Sequence, residues 1–155
     1  MDKLIILLAE VTVLPVIILG VYAVWKAPKD RRLQIIARAI IMALTALLLA
    51  KIAAQFYQGE RPFQELGVAP KASYLDNPGF PSDHSLLVFT ITAVVWTSTR
   101  RKAVSLTLLF FSILVGVGRV LALVHTPLDV LGGCLCALLA ALMWYGPRLR
   151  QVFTK

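Results

Sequence analysis

Apolar residues fill five long stretches of the chain, and polar residues gather between them. The stretches lie near residues 4–25, 34–57, 84–99, 103–123 and 127–146. A helix needs about 17–25 mostly apolar residues to cross a bilayer, so the pattern predicts about five transmembrane helices, the third shorter than ideal. Pro15 lies inside the first stretch and predicts a bend there, because proline removes a backbone hydrogen bond from a helix.

The connection over residues 59–80 differs from these stretches. It contains Pro62, Pro70, Pro78, Gly67 and Gly79, which predicts an irregular loop, with room for one short interfacial helix. The sequence shows no internal repeat and no low-complexity segment. We therefore expect a single membrane-embedded domain over residues 1–155.

Composition supports a membrane protein. Apolar residues make up 59% of the chain and the mean hydropathy is +0.80, more than one small soluble core can bury. The predicted fold class is therefore an all-α, polytopic helical bundle. Cys134 and Cys136 are two residues apart on one apolar stretch and are expected to pack in the core rather than form a disulfide or metal site. No small-residue cleavage site follows the first stretch, which is expected to be a retained helix.

The basic residues predict the orientation of the chain. The net charge of +8 comes from short clusters without a continuous basic face, so nucleic acid is not expected as a partner. Clusters follow the first, third and fifth stretches: Lys26, Lys29, Arg31, Arg32, Arg100, Arg101, Lys102, Arg148, Arg150 and Lys155. Lysine and arginine favour the cytoplasmic side of a membrane. The N-terminus, the 59–80 connection and the connection near residues 119–129 are then expected outside.

Candidate chemistry falls on that predicted outer side. Arg119, His125 and Asp129 lie where the fourth stretch ends and the fifth begins, and ionisable groups there are costly unless they are paired or in water. His125 and Asp129 are four residues apart, so a helix beginning near Thr126 lets the carboxylate orient the imidazole. Such a histidine suits nucleophilic or general-base chemistry.

Two further groups point to phosphate. Ser82, within Pro81-Ser82-Asp83-His84, can cap the third helix so that backbone N–H groups face an anion, and His84 can act as a general acid. Arg61 offers a planar fork for phosphate oxygens, and Lys51 offers a point charge.

These residues together resemble the three signature motifs of the type-2 phosphatidic acid phosphatase superfamily. The motifs, in order, are Arg61-Pro62, Pro81-Ser82-Asp83-His84, and Arg119 followed after five residues by His125 and after three more by Asp129. The resemblance covers roughly residues 45–145. Three ordered motifs on one membrane face are more specific than any one of them.

The resemblance implies a mechanism and its residues. His125 attacks phosphorus to form a phosphohistidine, Asp129 orients His125, and His84 protonates the leaving group; no metal and no cofactor is implied. The residues implied to bind the phosphoryl group are Lys51, Arg61, Ser82 and Arg119, with Asp83 grouped among them as a member of the second motif. The implied partners are a membrane lipid substrate and the bilayer, in a bacterial plasma membrane, with the site facing the periplasm or outside.

Three features depart from the family pattern. The family's lysine lies seven positions before the arginine, where this chain has Ala54, and Lys51 lies ten before it. Asp83 stands where glycine is usual, which is similar to the branch of bacterial undecaprenyl-diphosphate phosphatases and favours undecaprenyl diphosphate as substrate. The family commonly has six spans, and this chain has five predicted stretches.

Simpler interpretations stay open. Arg61, Arg119 and Lys51 can anchor helices at lipid headgroups, Ser82 can cap its helix without phosphate, and Asp83 can be a first-turn acid against the helix dipole. Glu10 lies near the outer end of the first stretch, where it can reach water, and is left out of the site. Phosphatidylglycerol phosphate, phosphatidic acid or a lipopolysaccharide lipid remain alternative substrates. A lipid phosphotransferase and a catalytically silent lipid-binding or assembly protein remain alternative functions, and the oligomeric state is undetermined.

Overall fold

The computed structural model describes residues 2–74, 79–99 and 101–153, with side chains up to residue 144. The described part of the chain is helical. Its helices are α1 (Asp2–Ile6), a π-helix (Leu7–Val11), α2 (Val13–Trp25), α3 (Lys29–Phe56), α4 (Pro62–Glu65), α5 (Asp83–Ser98), α6 (Lys102–Leu121) and α7 (Pro127–Phe153).

Four helices of the described chain are long and apolar enough to cross a membrane. They are Asp2–Trp25, Lys29–Phe56, Lys102–Leu121 and Pro127–Trp144. The fifth predicted span is α5, which has 16 residues and is short for a hydrocarbon core of about 30 Å. α5 nevertheless contacts α2, α3, α6 and α7. The predicted all-α membrane bundle is confirmed, and the shortest of its predicted spans, α5, is the one most surrounded by the other helices.

The first spanning helix is interrupted before Pro15 rather than at it. Residues Leu7–Val11 form a π-helix, and Thr12 N–H donates to Leu7 O at 3.0 Å, five residues back. The ring of a proline crowds the carbonyl four residues earlier, which here belongs to Val11. The wide turn ends at that residue, and a regular α-helix then continues from Val13 to Trp25.

Small residues let the helices approach closely, as is usual between helices in membranes. A Cβ added at Gly20 would lie 2.6 Å from Ile91 Cγ2, and one at Gly116 would lie 2.8 Å from Val130 Cγ1. A polar contact also joins α5 to α6, because Thr92 Oγ1 and Ser112 Oγ are 2.9 Å apart.

The connections meet at two opposite ends of the bundle. At one end Arg101 Nη2 donates to Lys26 O at 3.4 Å, which joins two of the basic clusters. At the other end Phe63 N–H donates to Leu123 O at 3.0 Å, and Lys71 N–H donates to Ala122 O at 3.2 Å. The part of the 59–80 connection from α4 to Lys71 therefore packs on the turn before α7, and residues 75–78 lie outside the described residues.

Several of the basic residues used for the orientation lie outside the described part of the chain. Arg100 is one of them, and the side chains of Arg148, Arg150 and Lys155 are the others. The assignment of the basic end to the cytoplasm stays a prediction.

Candidate active site

His125 and Asp129 are brought together by the turn between α6 and α7. α7 begins at Pro127, and Thr126, the residue before it, caps the helix. Thr126 N–H donates to Asp129 Oδ2 at 2.7 Å, and Asp129 N–H donates to Thr126 Oγ1 at 3.2 Å. This is a reciprocal capping arrangement. The cap fixes the Asp129 carboxylate one turn along the helix from His125, as the four-residue spacing predicts.

The two side chains are almost fully buried, each 3% exposed. His125 Nδ1 lies 3.6 Å from Asp129 Oδ2, just beyond hydrogen-bond length, and Nδ1 has no hydrogen-bond partner among the described residues. Nδ1 therefore faces the carboxylate, and Nε2 is the nitrogen left for other chemistry.

Burial lowers the pKa of His125 below its ordinary 6.5, and the positive charges of Arg119 and Arg61 act in the same direction. The Asp129 carboxylate opposes them. The net effect keeps the imidazole neutral, because burial and nearby cations both disfavour the imidazolium. A neutral imidazole is the form that can act as a nucleophile.

Arg119 lies in the last turn of α6 and is the largest fully buried side chain, at 1% exposure. Its Nε and Nη1 have no hydrogen-bond partner within the described residues. A buried charge without partners is costly, and a guanidinium edge matches two oxygens of a phosphate or carboxylate. The geometry fits an anion-binding arginine better than a headgroup anchor at the membrane surface.

Arg61 approaches the same place from the 59–80 connection. It is 4% exposed, and its Nη1 donates to Val124 O at 2.7 Å, directly before His125 in the chain. The Tyr74 ring centre lies 5.3 Å from the guanidinium carbon of Arg61, a cation–π distance. Arg61 is therefore held beside His125 by a carbonyl and an aromatic ring.

The second motif docks against the start of α7. Ser82 N–H donates to Asp129 O at 2.9 Å, and Ser85 N–H donates to Ser82 Oγ at 3.4 Å, so Ser82 is the predicted helix cap. A Cβ added at Gly133 would lie 2.7 Å from Ser82 O. Glycine at this position lets the start of α5 reach the Asp129 turn.

His84 and Asp83 occupy the first turn of α5. His84 is half-buried and interacts electrostatically with Arg119, His125 and Asp83. Asp83 is exposed, and its charge also acts on Arg119. His84 thus lies within electrostatic range of the cluster, while Asp83 is exposed in the first turn of α5, where an acid is favoured by the helix dipole.

Lys51 is not brought into this cluster. Its side chain is exposed on α3, and within the described chain it forms no hydrogen bond or ion pair. Ala54, the position of the family's lysine, is partly buried. A phosphate-binding role for Lys51 stays a prediction, and its placement favours the headgroup-anchor alternative.

Three neighbours of the cluster were not predicted as site residues. Tyr74 lies against Arg61, and a Cβ on Gly79 would lie 3.3 Å from Arg61 Cγ and 3.6 Å from Asp129 Oδ2. Glu10 interacts electrostatically with Arg119 and His84. The signal for Glu10 was available, because an ionisable residue inside a membrane span is a functional candidate. Tyr74 and Gly79 lie in an irregular connection and have no periodic signal.

No three histidine, cysteine, aspartate or glutamate side chains form a group that could hold a metal ion in the part of the chain that the structure covers. The positive charges that act on His125 are the guanidinium groups of Arg119 and Arg61. Charge stabilisation at this site is therefore available from Arg61 and Arg119.

Comparison with known proteins agrees with the motifs. The PAP2 superfamily matches residues 35–151. The bacitracin transport permease protein BcrC of Bacillus licheniformis is 31% identical over 135 residues, which are 84% of this chain and 65% of that protein. YbjG of Escherichia coli (strain K12), provisionally named an undecaprenyl-diphosphatase, is 28% identical over 132 residues, 85% of this chain and 65% of that protein.

The chain thus spans just under two thirds of the length of these two relatives. No solved structure matches it significantly. The family match covers most of the chain and includes all three motifs. On this match, which confirms the predicted resemblance, the chain belongs to the PAP2 superfamily.

Proposed function

We propose that the chain is an integral membrane phosphatase that removes the terminal phosphate of a lipid phosphate or diphosphate. Arg119 carries the proposal: its buried guanidinium has two nitrogens without partners among the described residues, on the helix end that leads to His125. A phosphoryl group supplies the charge and the oxygens that such a guanidinium needs. The His125–Asp129 pair next to it supplies the nucleophile.

The reaction proceeds in two balanced steps. In the first, His125 Nε2 attacks phosphorus, the P–N bond forms, the bond to the bridging oxygen breaks, and His84 gives its proton to that oxygen. In the second, water attacks the phosphohistidine, His84 takes the proton of the water, and the P–N bond breaks to release inorganic phosphate. Asp129 holds the His125 ring throughout, and both histidines return to their initial states.

The phosphoryl oxygens are bound by Arg61, by Arg119 and by the start of α5, which Ser82 caps. The charge on these oxygens is redistributed in the transition state, and fixed donors in a buried site stabilise it more than water does. No step in this scheme needs a metal ion. We therefore expect activity to continue in EDTA, and magnesium-dependent recovery of a chelated sample would contradict the scheme.

Undecaprenyl diphosphate is the substrate that we propose. The name of one relative refers to this lipid, and an apolar groove of about 600 Å³ lies between α2, α3 and α5. Leu87, Ile91 and Val94 line the groove on the face of α5 that also carries His84, since they follow it by three, seven and ten residues. A lipid tail in this groove would hold its headgroup close to His84 and His125.

We further propose that the protein lies in a bacterial plasma membrane with the site on the outer face. Support comes from the bacterial sources of both relatives and from the basic residues at the end of the bundle opposite the site. On that face the product would be a lipid monophosphate and free phosphate outside the cytoplasm.

The first test is phosphate release by the purified chain in detergent with EDTA present. The substrates are undecaprenyl diphosphate, phosphatidylglycerol phosphate and phosphatidic acid, and His125→Ala is the inactive variant. Thr107→Ala is the matched control, because its exposed hydroxyl bonds only within its own helix, to Ala103 O. Release by wild type and Thr107→Ala, but not by His125→Ala, is expected.

Two other results would contradict the proposal. Transfer of phosphate to a lipid acceptor without free phosphate would indicate a phosphotransferase. Folded wild-type protein that releases no phosphate from any substrate would indicate a silent member of the family.

A further inference from the structure

Glu10 is a charged residue of the first spanning helix that the proposed mechanism does not use. Its Oε1 accepts a hydrogen bond from Ser73 N–H at 2.6 Å. Ser73 belongs to the 59–80 connection, 63 residues further along the chain. The acceptor is charged and the bond is short, and although it is exposed to solvent it ties the first helix to the connection.

The wide turn of the first helix holds Glu10 beside the site. Glu10 lies in the π-helix Leu7–Val11, and its neighbour Ala9 is fully buried. A Cβ added at Gly118 would lie 2.5 Å from both Ala9 N and Leu8 C, so the π-helix backbone lies directly against the turn that carries Arg119. π-helical turns are rare and are often found at functional sites.

The residues around Ser73 reach Arg61. We call residues 72–74 the strap. Ala72 packs against a buried cluster formed by Ala9, Phe63, Ala122 and Val124. The Tyr74 ring centre lies 4.9 Å from the Phe63 ring centre and 5.3 Å from the guanidinium carbon of Arg61. Ser73, which Glu10 holds, is directly adjacent to both of these anchors.

We propose that Glu10 is a positioning residue that fixes the strap to the first helix and, through Tyr74, holds the Arg61 guanidinium in place for phosphate. Glu10 accepts the hydrogen bond of Ser73, and the neighbouring Tyr74 ring lies against the Arg61 guanidinium. Arg61 Nη1 in turn donates to the Val124 carbonyl, next to His125. The inference rests on the proposed function, since it assigns Arg61 to phosphate binding.

The charge of Glu10 alone predicts the opposite effect. Glu10 interacts electrostatically with Arg119 and His84, and a carboxylate near an anion site repels phosphate. Removal of a merely neighbouring negative charge would tighten phosphate binding. Removal of a positioning contact would weaken it, so the sign of the change separates the two roles.

The test measures the Kd of inorganic phosphate for the full chain by calorimetry, together with KM and kcat for the lipid substrate. Glu10→Ala is expected to raise Kd about 3–10-fold, the scale of one lost hydrogen bond that water partly screens. KM should rise in parallel, and kcat should change much less. Glu10→Gln keeps an acceptor oxygen and should recover part of the binding.

Two variants interrupt the path from Glu10 to Arg61 without changing the charge. Ser73→Pro removes the N–H donor, and Tyr74→Leu removes the ring over Arg61; each should raise Kd, and adding Glu10→Ala to either should raise it little further. Asp2→Asn is the matched control. It removes one charge from the same helix and breaks the exposed pair of Asp2 with Lys71, 3.1 Å apart, in the same connection, and it should leave Kd unchanged.

An unchanged or lower Kd in folded Glu10→Ala and Tyr74→Leu overturns the inference while leaving the phosphatase proposal intact. Weaker phosphate binding in these variants, with no phosphate release by wild type, overturns the phosphatase proposal and supports the positioning role. Wild-type protein that neither binds phosphate nor releases it overturns both.

Discussion

The two histidines have different surroundings, and these predict different roles. His125 is 3% exposed and faces Asp129, whereas His84 is half-buried in the first turn of α5. The buried and oriented ring is suited to attack phosphorus. The more accessible ring can exchange protons with water and with the leaving group.

We expect His125→Ala to abolish phosphate release and His84→Ala to slow it by about 10²–10⁴-fold, the usual effect of a lost acid or base. A substrate whose leaving group needs no proton should restore much of the rate of His84→Ala. It should not restore the rate of His125→Ala. Equal recovery of both variants in an assay of phosphate release would contradict the division of roles.

The pH dependence follows from the burial of His125. Burial, aided by Arg119 and Arg61, lowers the pKa of His125 below 6.5, and protonated imidazole cannot attack phosphorus. The acid limb of kcat/KM, which reports the free enzyme, should therefore lie below pH 6.5 in wild type.

Arg119→Gln removes one of the charges that lower this pKa, so the acid limb should move to higher pH while kcat/KM falls overall. Burial is the larger cause, so the movement should be modest. A wild-type limb above pH 6.5, or a limb that moves to lower pH in Arg119→Gln, would contradict the assignment of this limb to His125.

At the scale of elements, close helix contacts position the site. Gly118 lies against the backbone of the π-helix, with Leu8 and Ala9 as its neighbours, whereas Gly116, two residues earlier, faces the end of the Val130 side chain. A side-chain tip can move away from an added methyl group, but packed backbone cannot. The two glycines of one helix should therefore respond differently to the same substitution.

We expect Gly118→Ala to destabilise the protein by about 1–3 kcal/mol, as over-packing commonly does, and Gly116→Ala to have a smaller effect. Thermal unfolding of the purified variants in one detergent measures the difference. Phosphate affinity should also fall in Gly118→Ala, because the turn with Arg119 is displaced. Equal Tm values for the two variants would contradict this expectation, because they would show that the first helix can shift without a loss of stability.

At the scale of the whole molecule, the bundle separates a basic end from the end with the site. Lys29 and Lys102 are exposed near the first end, and Glu65 is exposed near the second. Lysine and arginine favour the cytoplasmic side. The site should then open away from the cytoplasm.

Single cysteines at these positions test the orientation in a chain with Cys134→Ala and Cys136→Ala. A membrane-impermeant thiol reagent applied to bacterial spheroplasts should label Glu65→Cys, and should label Lys29→Cys and Lys102→Cys only after the membrane is opened. The reverse pattern would place the site in the cytoplasm and exclude an outer-face phosphatase.

The sequence alone predicted the helices and the family, both of which are confirmed, and it supplied the candidate site residues. Hydropathy indicates whether a stretch of residues prefers lipid or water, and this preference depends only on the local sequence. The spans and the basic ends could therefore be predicted. The spacing of His125 and Asp129 also predicted their meeting, because a helix turn is local. The approximate bounds of the five stretches agree with the helices, including the short α5.

Only the tertiary structure decided which residues from distant segments meet. Lys51 and Arg61 are ten residues apart, yet Arg61 is buried beside the Val124 carbonyl and Lys51 is exposed on α3. Glu10 reaches Ser73 across 63 residues, and the wide turn that contains Glu10 is seated against Gly118. Such contacts depend on how helices pack and on where an irregular connection docks, and neither leaves a periodic signal in the sequence.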